Sequence, residues 1–299
     1  MHKQSSACVY TVFTNNYDSY YLNSLRSWVS AHVKFFLFCD QASYEYVLDS
    51  KIFLGHYTPF LINGIQAQAF LSRIDCQLDV AGVPLDRFCK FLPIAFLNDF
   101  DTYVYHDLRV TPSPQSIHHS LVLLEAGSNW IYMPHRRSKS TLNELISCIS
   151  SHRLSLPRAL GMLWKISRSC LSSTKSEDYL SLPVSENGFF VRSNSEPIWK
   201  ASLSVIALLH FFTIGRDQLC TPLIFLDPNI RPAGFPFPYN HLRGCKLHHR
   251  IHNLSRFNVF VLNSRTGIIF MISSVIVWVA VFVFRTLRAL SNPSTTLQS

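Results

Sequence analysis

Short apolar runs alternate along the chain with stretches in which apolar residues recur at helical spacing. Ala7–Phe13 (ACVYTVF) reads as a strand, Ser19–His32 as a helix and Lys34–Cys39 (KFFLFC) as a second strand. Phe88–Leu97 has a helical pattern that Pro93 interrupts. Thr102–Tyr105 and Trp130–Met133 read as strands, Thr141–Ser150 as a helix, Gly188–Val191 as extended and Pro197–Phe212 as a helix. This alternation predicts an α/β fold with a largely parallel sheet. Within the last helix, Ala201–Ile214 is too short for a bilayer and carries His210, so it reads as a buried core helix.

One segment breaks the alternation. Gly267–Phe284 is almost wholly apolar, no residue from Thr266 to Phe284 is charged, and Arg265 and Arg285 bracket the run. Eighteen helical residues reach about 27 Å, close to the thickness of a thin bilayer core. Residues 266–284 are therefore expected to form a transmembrane helix, with arginines at the headgroups. The N-terminus has no uninterrupted apolar stretch of the signal-peptide kind. The expected organisation is a body over 1–230, a basic, Pro- and His-rich membrane-proximal segment over 231–265, the span, and a short tail over 285–299. That makes a single-pass, tail-anchored protein of an ER/Golgi-type endomembrane, with its body in the cytosol.

Composition narrows the class. Of 299 residues, 48% are hydrophobic and 15% charged, against about 25% charged in average globular domains, which excludes disordered and fibrous chains. The net charge of +9 belongs mostly to the tail: residues 228–299 hold eight Lys and Arg and no acid, and all 18 acids lie between Asp18 and Asp227. A nearly neutral body gives no footprint for nucleic acid, so no nucleic-acid partner is expected, and the basic tail suits anionic lipid. The eight cysteines form no CxxC pair and read as reduced residues, mostly in the core. Cys245, His248, His249 and His252 are zinc-like in type but lack paired spacing, and read as a headgroup-facing stretch. No P-loop, GxSxG elbow or HExxH is present.

In open α/β sheets ligands bind beyond the carboxyl ends of the strands. Here those ends run into Thr14-Asn15-Asn16-Tyr17-Asp18, Asp40, His106-Asp107-Leu108-Arg109 and His135-Arg136-Arg137. Amides, carboxylates and cations in one place suit a charged, hydroxyl-rich ligand. Asn and Asp suit a nucleoside or sugar, His106 and Asp107 a divalent cation, and Arg136 or Arg137 a phosphate.

Asp99-Phe-Asp-Thr-Tyr-Val-Tyr-His-Asp107 resembles the strand and acidic turn of GT-A-type glycosyltransferases, which use nucleotide-sugar donors. More closely, the chain resembles the glycosyltransferase-like family whose domain of unknown function occurs in plant mucilage and pectin biosynthesis proteins and in bacterial relatives. The matching pieces are Arg87-x-x-Lys90, Tyr105-His106-Asp107, Pro134-His135-Arg136 with Glu144, Glu186 near Phe189–Arg192, and Arg216-Asp217-Gln218. They cover roughly residues 8–226.

The resemblance implies a GT-A-like, mostly parallel sheet flanked by helices. It implies donor binding by Thr14, Asn15, Asn16, Asp40, His106, Asp107, His135 and Arg136, with Arg87 and Lys90 supplying positive charge. Glu186 and Asp217 become the candidates for a general base on an acceptor hydroxyl, although Asp217 is equally suited to a structural ion pair with Arg216 or Arg192. Asp107 would be the ligand of Mn²⁺ or Mg²⁺. Tyr105 stands where many such enzymes carry the first acid of a DxD triplet, which puts metal dependence in question. The expected partners are a nucleotide-sugar donor, a glycan or lipid acceptor and the membrane. The competing expectation is a non-catalytic, membrane-anchored interaction or sugar-binding protein that keeps the fold.

Overall fold

The computed structural model describes residues 6–25, 27–135, 139–151, 154–162, 179–212 and 217–235, the side chains of 211 and 212 aside. Seven strands form one sheet: β1 (Ala7–Phe13), β2 (Val33–Cys39), β3 (Tyr57–Leu61), β4 (Thr102–His106), β5 (Trp130–Pro134), β6 (Ser185–Ser193) and β7 (Pro232–Gly234). The order is β3-β2-β1-β4-β6-β5-β7. Every strand runs parallel to the others except β6, which is antiparallel to both β4 and β5. This mixed α/β sheet, mostly parallel and flanked by helices, fits the GT-A-like architecture that the sequence leads one to expect.

Helices cover both faces, which is why the central strands are continuously apolar rather than alternating. Cys8 and Tyr10 of β1 pack on the side of α2 (Gly64–Arg73), α3 (Leu85–Phe91), α5 (Thr141–Ser150) and α6 (Glu196–Phe212). Val9 and Phe13 pack on the side of α1 (Gln41–Ser50) and α4 (Pro114–Glu125). Local chemistry sets the helix ends. Asp40 caps α1 by accepting from the Ser43 amide, and Asn63 and Gln66 form a reciprocal capping box on α2. After α4, Gly127 takes a φ of +101°, and the amides of Gly127 and Ser128 reach back to the carbonyls of Leu124 and Leu123. That paired closure needs a left-handed residue, which glycine supplies without strain.

Several expectations are corrected. Only Ser19–Ser24 coils after β1, as a 3-10 turn, and the described residues of 25–32 are not helical. The segment read as one helix over Phe88–Leu97 is α3, ending at Phe91, and a 3-10 turn over Pro93–Ala95. The folded body extends past residue 230, because Pro232–Gly234 pairs with β5 and Phe235 is buried. No helix among the described residues is long and apolar enough to cross a membrane. The proposed span 266–284, the segment 236–265 with its Cys and His cluster, and the tail 285–299 lie outside the described residues. Six cysteines are described, all free thiols and five of them buried, as read from their scatter.

Candidate active site

The strand order changes direction about β1: β2 and β3 extend from one side and β4 from the other. Such a switch point leaves a crevice between the carboxyl ends of β1 and β4. Because β6 is antiparallel, its beginning lies at the same end of the sheet, where the Asp107 amide donates to Gly188 O. The crevice thus gathers the loop after β1, Asp107 after β4 and Glu186 at the start of β6.

An ion-pair network stands at this point. Helix α3 sets Arg87 and Lys90 three residues apart, on one face. Asp217, in a 3-10 turn that follows α6, accepts both cations on a single oxygen: Lys90 Nζ lies 2.8 Å and Arg87 Nη1 3.2 Å from its Oδ2. Lys90 Nζ is also 3.8 Å from Asp107 Oδ1 and 4.7 Å from the centre of the Tyr105 ring. The Tyr105 hydroxyl donates to Asp107 Oδ1 at 2.5 Å. Burial, and then the Asp107 charge, push the Tyr105 pKa up, so the hydroxyl keeps its proton.

Burial would raise the Asp217 pKa, but Lys90 and Arg87 outweigh it and hold the carboxyl well below the usual range. Asp217 in turn raises the Arg87 pKa. An acid held so firmly ionised is a weak proton acceptor and a strong anchor. Its partners are Arg87 and Lys90, not Arg192 as the sequence suggested; Arg216 lies outside the described residues. The neighbouring Gln218 is buried and its Oε1 has no hydrogen-bond partner. Sequence reasoning placed Gln218 in a matching tripeptide without giving it a role. Its adjacency to Asp217 was the only signal.

The network leaves two groups accessible: the Asp107 side chain is 42% and the Arg87 side chain 33% exposed, against 4% for Lys90. Lys90 therefore acts from behind, as a buried charge. Its position is fixed through its backbone, since Lys90 O accepts from the Tyr10 hydroxyl (2.6 Å) and from Arg192 Nη2 (2.8 Å).

The remaining candidates divide. Asp40 accepts from the amides of Ser43 and Asn15, both at 2.9 Å, so both carboxylate oxygens hold backbone. Asn15 and Asn16 have φ near +54° and are exposed beside Thr14 on the rim. Asp18 ties this rim to the loop after β4 through Arg109, which donates Nε and Nη2 to it at 2.9 and 3.0 Å. His135 Nε2 lies 3.5 Å from Glu186 Oε1 and 4.0 Å from Glu144 Oε2, a pairing that suits proton exchange with an acceptor hydroxyl. Arg136 lies outside the described residues.

His106 is corrected as a donor-binding or metal residue. Its ring is fully buried, Nδ1 faces Asp107 O at 3.0 Å and Nε2 faces the Tyr57 hydroxyl at 2.6 Å. The carbonyl accepts from Nδ1–H, leaving Nε2 to accept from Tyr57. Burial lowers its pKa to about 4, so the ring is neutral and has no nitrogen left for a ligand. The unfolded ring takes its proton near pH 6.5 and the folded ring only near 4, so in between the unfolded state binds the extra proton. Stability is therefore expected to fall by about 3 kcal/mol as the pH drops through that window. Urea midpoints between pH 6.5 and 4.5 check this, and His106→Gln should flatten the slope.

Among the described residues, Asp107 is the carboxylate that stands where a divalent ion was expected. One of its oxygens is taken by Tyr105 and lies 3.8 Å from the Lys90 ammonium, which leaves the other free, and no group of three or more metal-ligating side chains occurs among the described residues. Such ions need several oxygen ligands.

No known protein-family pattern matches the chain, and no curated protein matches it. Among solved structures the chain is similar to mouse xyloside xylosyltransferase 1 in its apo form, with 11% identity over 77% of this chain and 84% of that one and a TM-score of 0.44. It is similar also to core-mannan synthase A of Aspergillus fumigatus in its Mn/GDP form, at 11% identity over 79% and 74% and a TM-score of 0.42. The galactosyltransferase LgtC, in complex with donor and acceptor sugar analogues, matches at 10% identity over 76% and 73%, with a TM-score of 0.38. At such scores these are distant likenesses.

Proposed function

We propose that this chain is a glycosyltransferase of the family its ordered motifs resemble, moving a sugar from a nucleotide-sugar donor to a hydroxyl acceptor on a glycan or lipid. The observation that carries the reading is the Arg87–Asp217–Lys90–Asp107 network at the switch point between β1 and β4. Arg87 meets the donor diphosphate, and the free oxygen of Asp107 accepts from donor hydroxyls. Thr14, Asn15 and Asn16 form the nucleoside rim. Glu186, with His135, takes the acceptor proton, since the anchored Asp217 is poorly suited to do so. Residues 266–284 hold the body to an endomembrane from the cytosolic side.

The runner-up is a non-catalytic sugar-binding protein on the same fold, which Tyr105 at the first acidic position favours. Thermal unfolding of the full chain against a panel of nucleotide sugars, each with Mn²⁺ or with a chelator, tests donor binding. At a hundredfold excess over Kd the matching donor should add about 2.7 kcal/mol. Because the network supplies its own cations, affinity with chelator should stay within about tenfold of that with Mn²⁺, a difference of about 1.4 kcal/mol. No shift with any donor would overturn the reading.

A further inference from the structure

Strands β2 and β3 are parallel neighbours at one edge of the sheet. The loops that lead into them, 27–32 and 51–56, therefore lie together at the end opposite the crevice. Ser27 Oγ accepts from the His56 amide at 2.6 Å and seats one loop on the other. Each loop puts a large apolar side chain into solvent: Val29 is 83% and Phe53 84% exposed. Single apolar residues scattered over a surface are ordinary. These two stand on touching loops, beside a cleft.

The cleft has a volume of about 270 Å³. Trp28, Val29, Val33 and Phe36 give it apolar walls, Lys34 and His56 add basic groups, and no carboxylate is among its described lining residues. Trp28 is half-buried and packs edge-on against Phe35, with ring centres 4.8 Å apart. The sequence carries the same bias: no acid occurs between Asp18 and Asp40 or between Asp49 and Asp75, the two stretches that hold these loops. His32, Lys34, Lys51 and His56 are all exposed. Asp49, at the end of α1, bounds the face on one side. Asp99 and Asp101 lie before β4, two places from β2 in the sheet, and Asp101 accepts from the Ser6 amide at 2.9 Å.

We propose that this face docks on an anionic lipid bilayer, with Val29 and Phe53 entering the headgroup region and Lys34 and Lys51 meeting the negative lipid groups. A bilayer is negative at its surface and apolar just beneath, which matches protruding apolar side chains flanked by lysines. The core of a protein interface is instead depleted of lysine. Tryptophan at the rim suits the headgroup level. The span proposed over 266–284 keeps a bilayer within reach, so a weak contact suffices. Docking does not depend on the sugar-transfer reading, but it turns the crevice, at the other end of the strands, away from the lipid.

The test is hydrogen exchange on the full chain reconstituted in phosphatidylcholine vesicles, with and without about 30% phosphatidylserine. The amides of 27–32 and 51–56 should exchange about tenfold more slowly in the anionic vesicles. The difference should vanish in about 1 M salt, where the Debye length is about 3 Å. Val29→Asp combined with Phe53→Asp should restore the rate seen in neutral vesicles, and both side chains are exposed, so the fold is kept. The comparison of the two lipids on the unaltered chain stands without the variant. Equal exchange in both lipids overturns the proposal. So does protection that arises in detergent without vesicles and grows with protein concentration, which would assign the face to a second copy of the chain.

Discussion

Asp217→Ala should destabilise the protein by about 3–5 kcal/mol, the cost of leaving a buried charge unpaired. The stranded charge is Lys90, whose side chain is 4% exposed and whose nearest carboxylate is Asp217 at 2.8 Å. The remaining neighbour, Asp107, lies 3.8 Å away and is engaged by Tyr105. Adding Lys90→Met to Asp217→Ala should recover part of the loss, because an apolar side chain of similar length carries no desolvation penalty. Urea titration of the two single variants and the double variant checks this; a double variant no more stable than Asp217→Ala contradicts it. The pH dependence follows the same pair. The Asp217 carboxyl is held below its unfolded pKa, so its contribution is present in full above the ordinary carboxylate value of about 3.9 and is lost as the pH falls below it.

The second large effect is on turnover. Asp107→Ala removes the exposed carboxylate at the crevice while leaving the buried pair of Lys90 and Asp217 in place. Loss of a group that faces the reacting ligand typically lowers kcat by about 10²–10³, or roughly 2.7–4 kcal/mol of transition-state stabilisation. A fall of that size is expected with the protein still folded, its stability lowered by no more than about 1–3 kcal/mol because the Tyr105 hydroxyl loses its acceptor. It also separates the two functional readings, since a sugar-binding module has no turnover to lose and would keep its binding to partners.

Much of the fold was legible because the central strands are buried on both faces. Ala7–Phe13 and Thr141–Ser150 stand at the ends the apolar pattern set for them. Weakly amphipathic elements were missed: α1 (QASYEYVLDS) and α2 (GIQAQAFLSR) bury few residues each. Their signals lay in the caps, Asp40 with Ser43 and Asn63 with Gln66, rather than in periodicity. Strand β3 was hidden by Pro59, which an edge strand tolerates. The turn over Ser19–Ser24 looked like the start of a helix. Its entry at Asp18 takes a left-handed φ of 64°, and the Asp18 side chain is engaged by Arg109 and provides no cap.

The site was legible in part. Arg87, Lys90, Asp107 and Asp217 were all singled out, but Asp217 joins Arg87 and Lys90 across more than a hundred residues of sequence, which no local spacing encodes. His106 looked like a ligand because it precedes Asp107. On a strand, adjacent side chains point to opposite faces, and His106 turns inward to Tyr57.

The central claim is sugar transfer, and the most direct measurement is nucleoside diphosphate release by the full chain. Each nucleotide sugar would be supplied with a panel of glycan and lipid-headgroup acceptors. One donor should be consumed, with its sugar recovered on a hydroxyl of the acceptor by mass spectrometry and with release at least a hundredfold slower for Asp107→Ala. A donor that binds the unaltered chain yet is released intact with every acceptor would contradict catalysis.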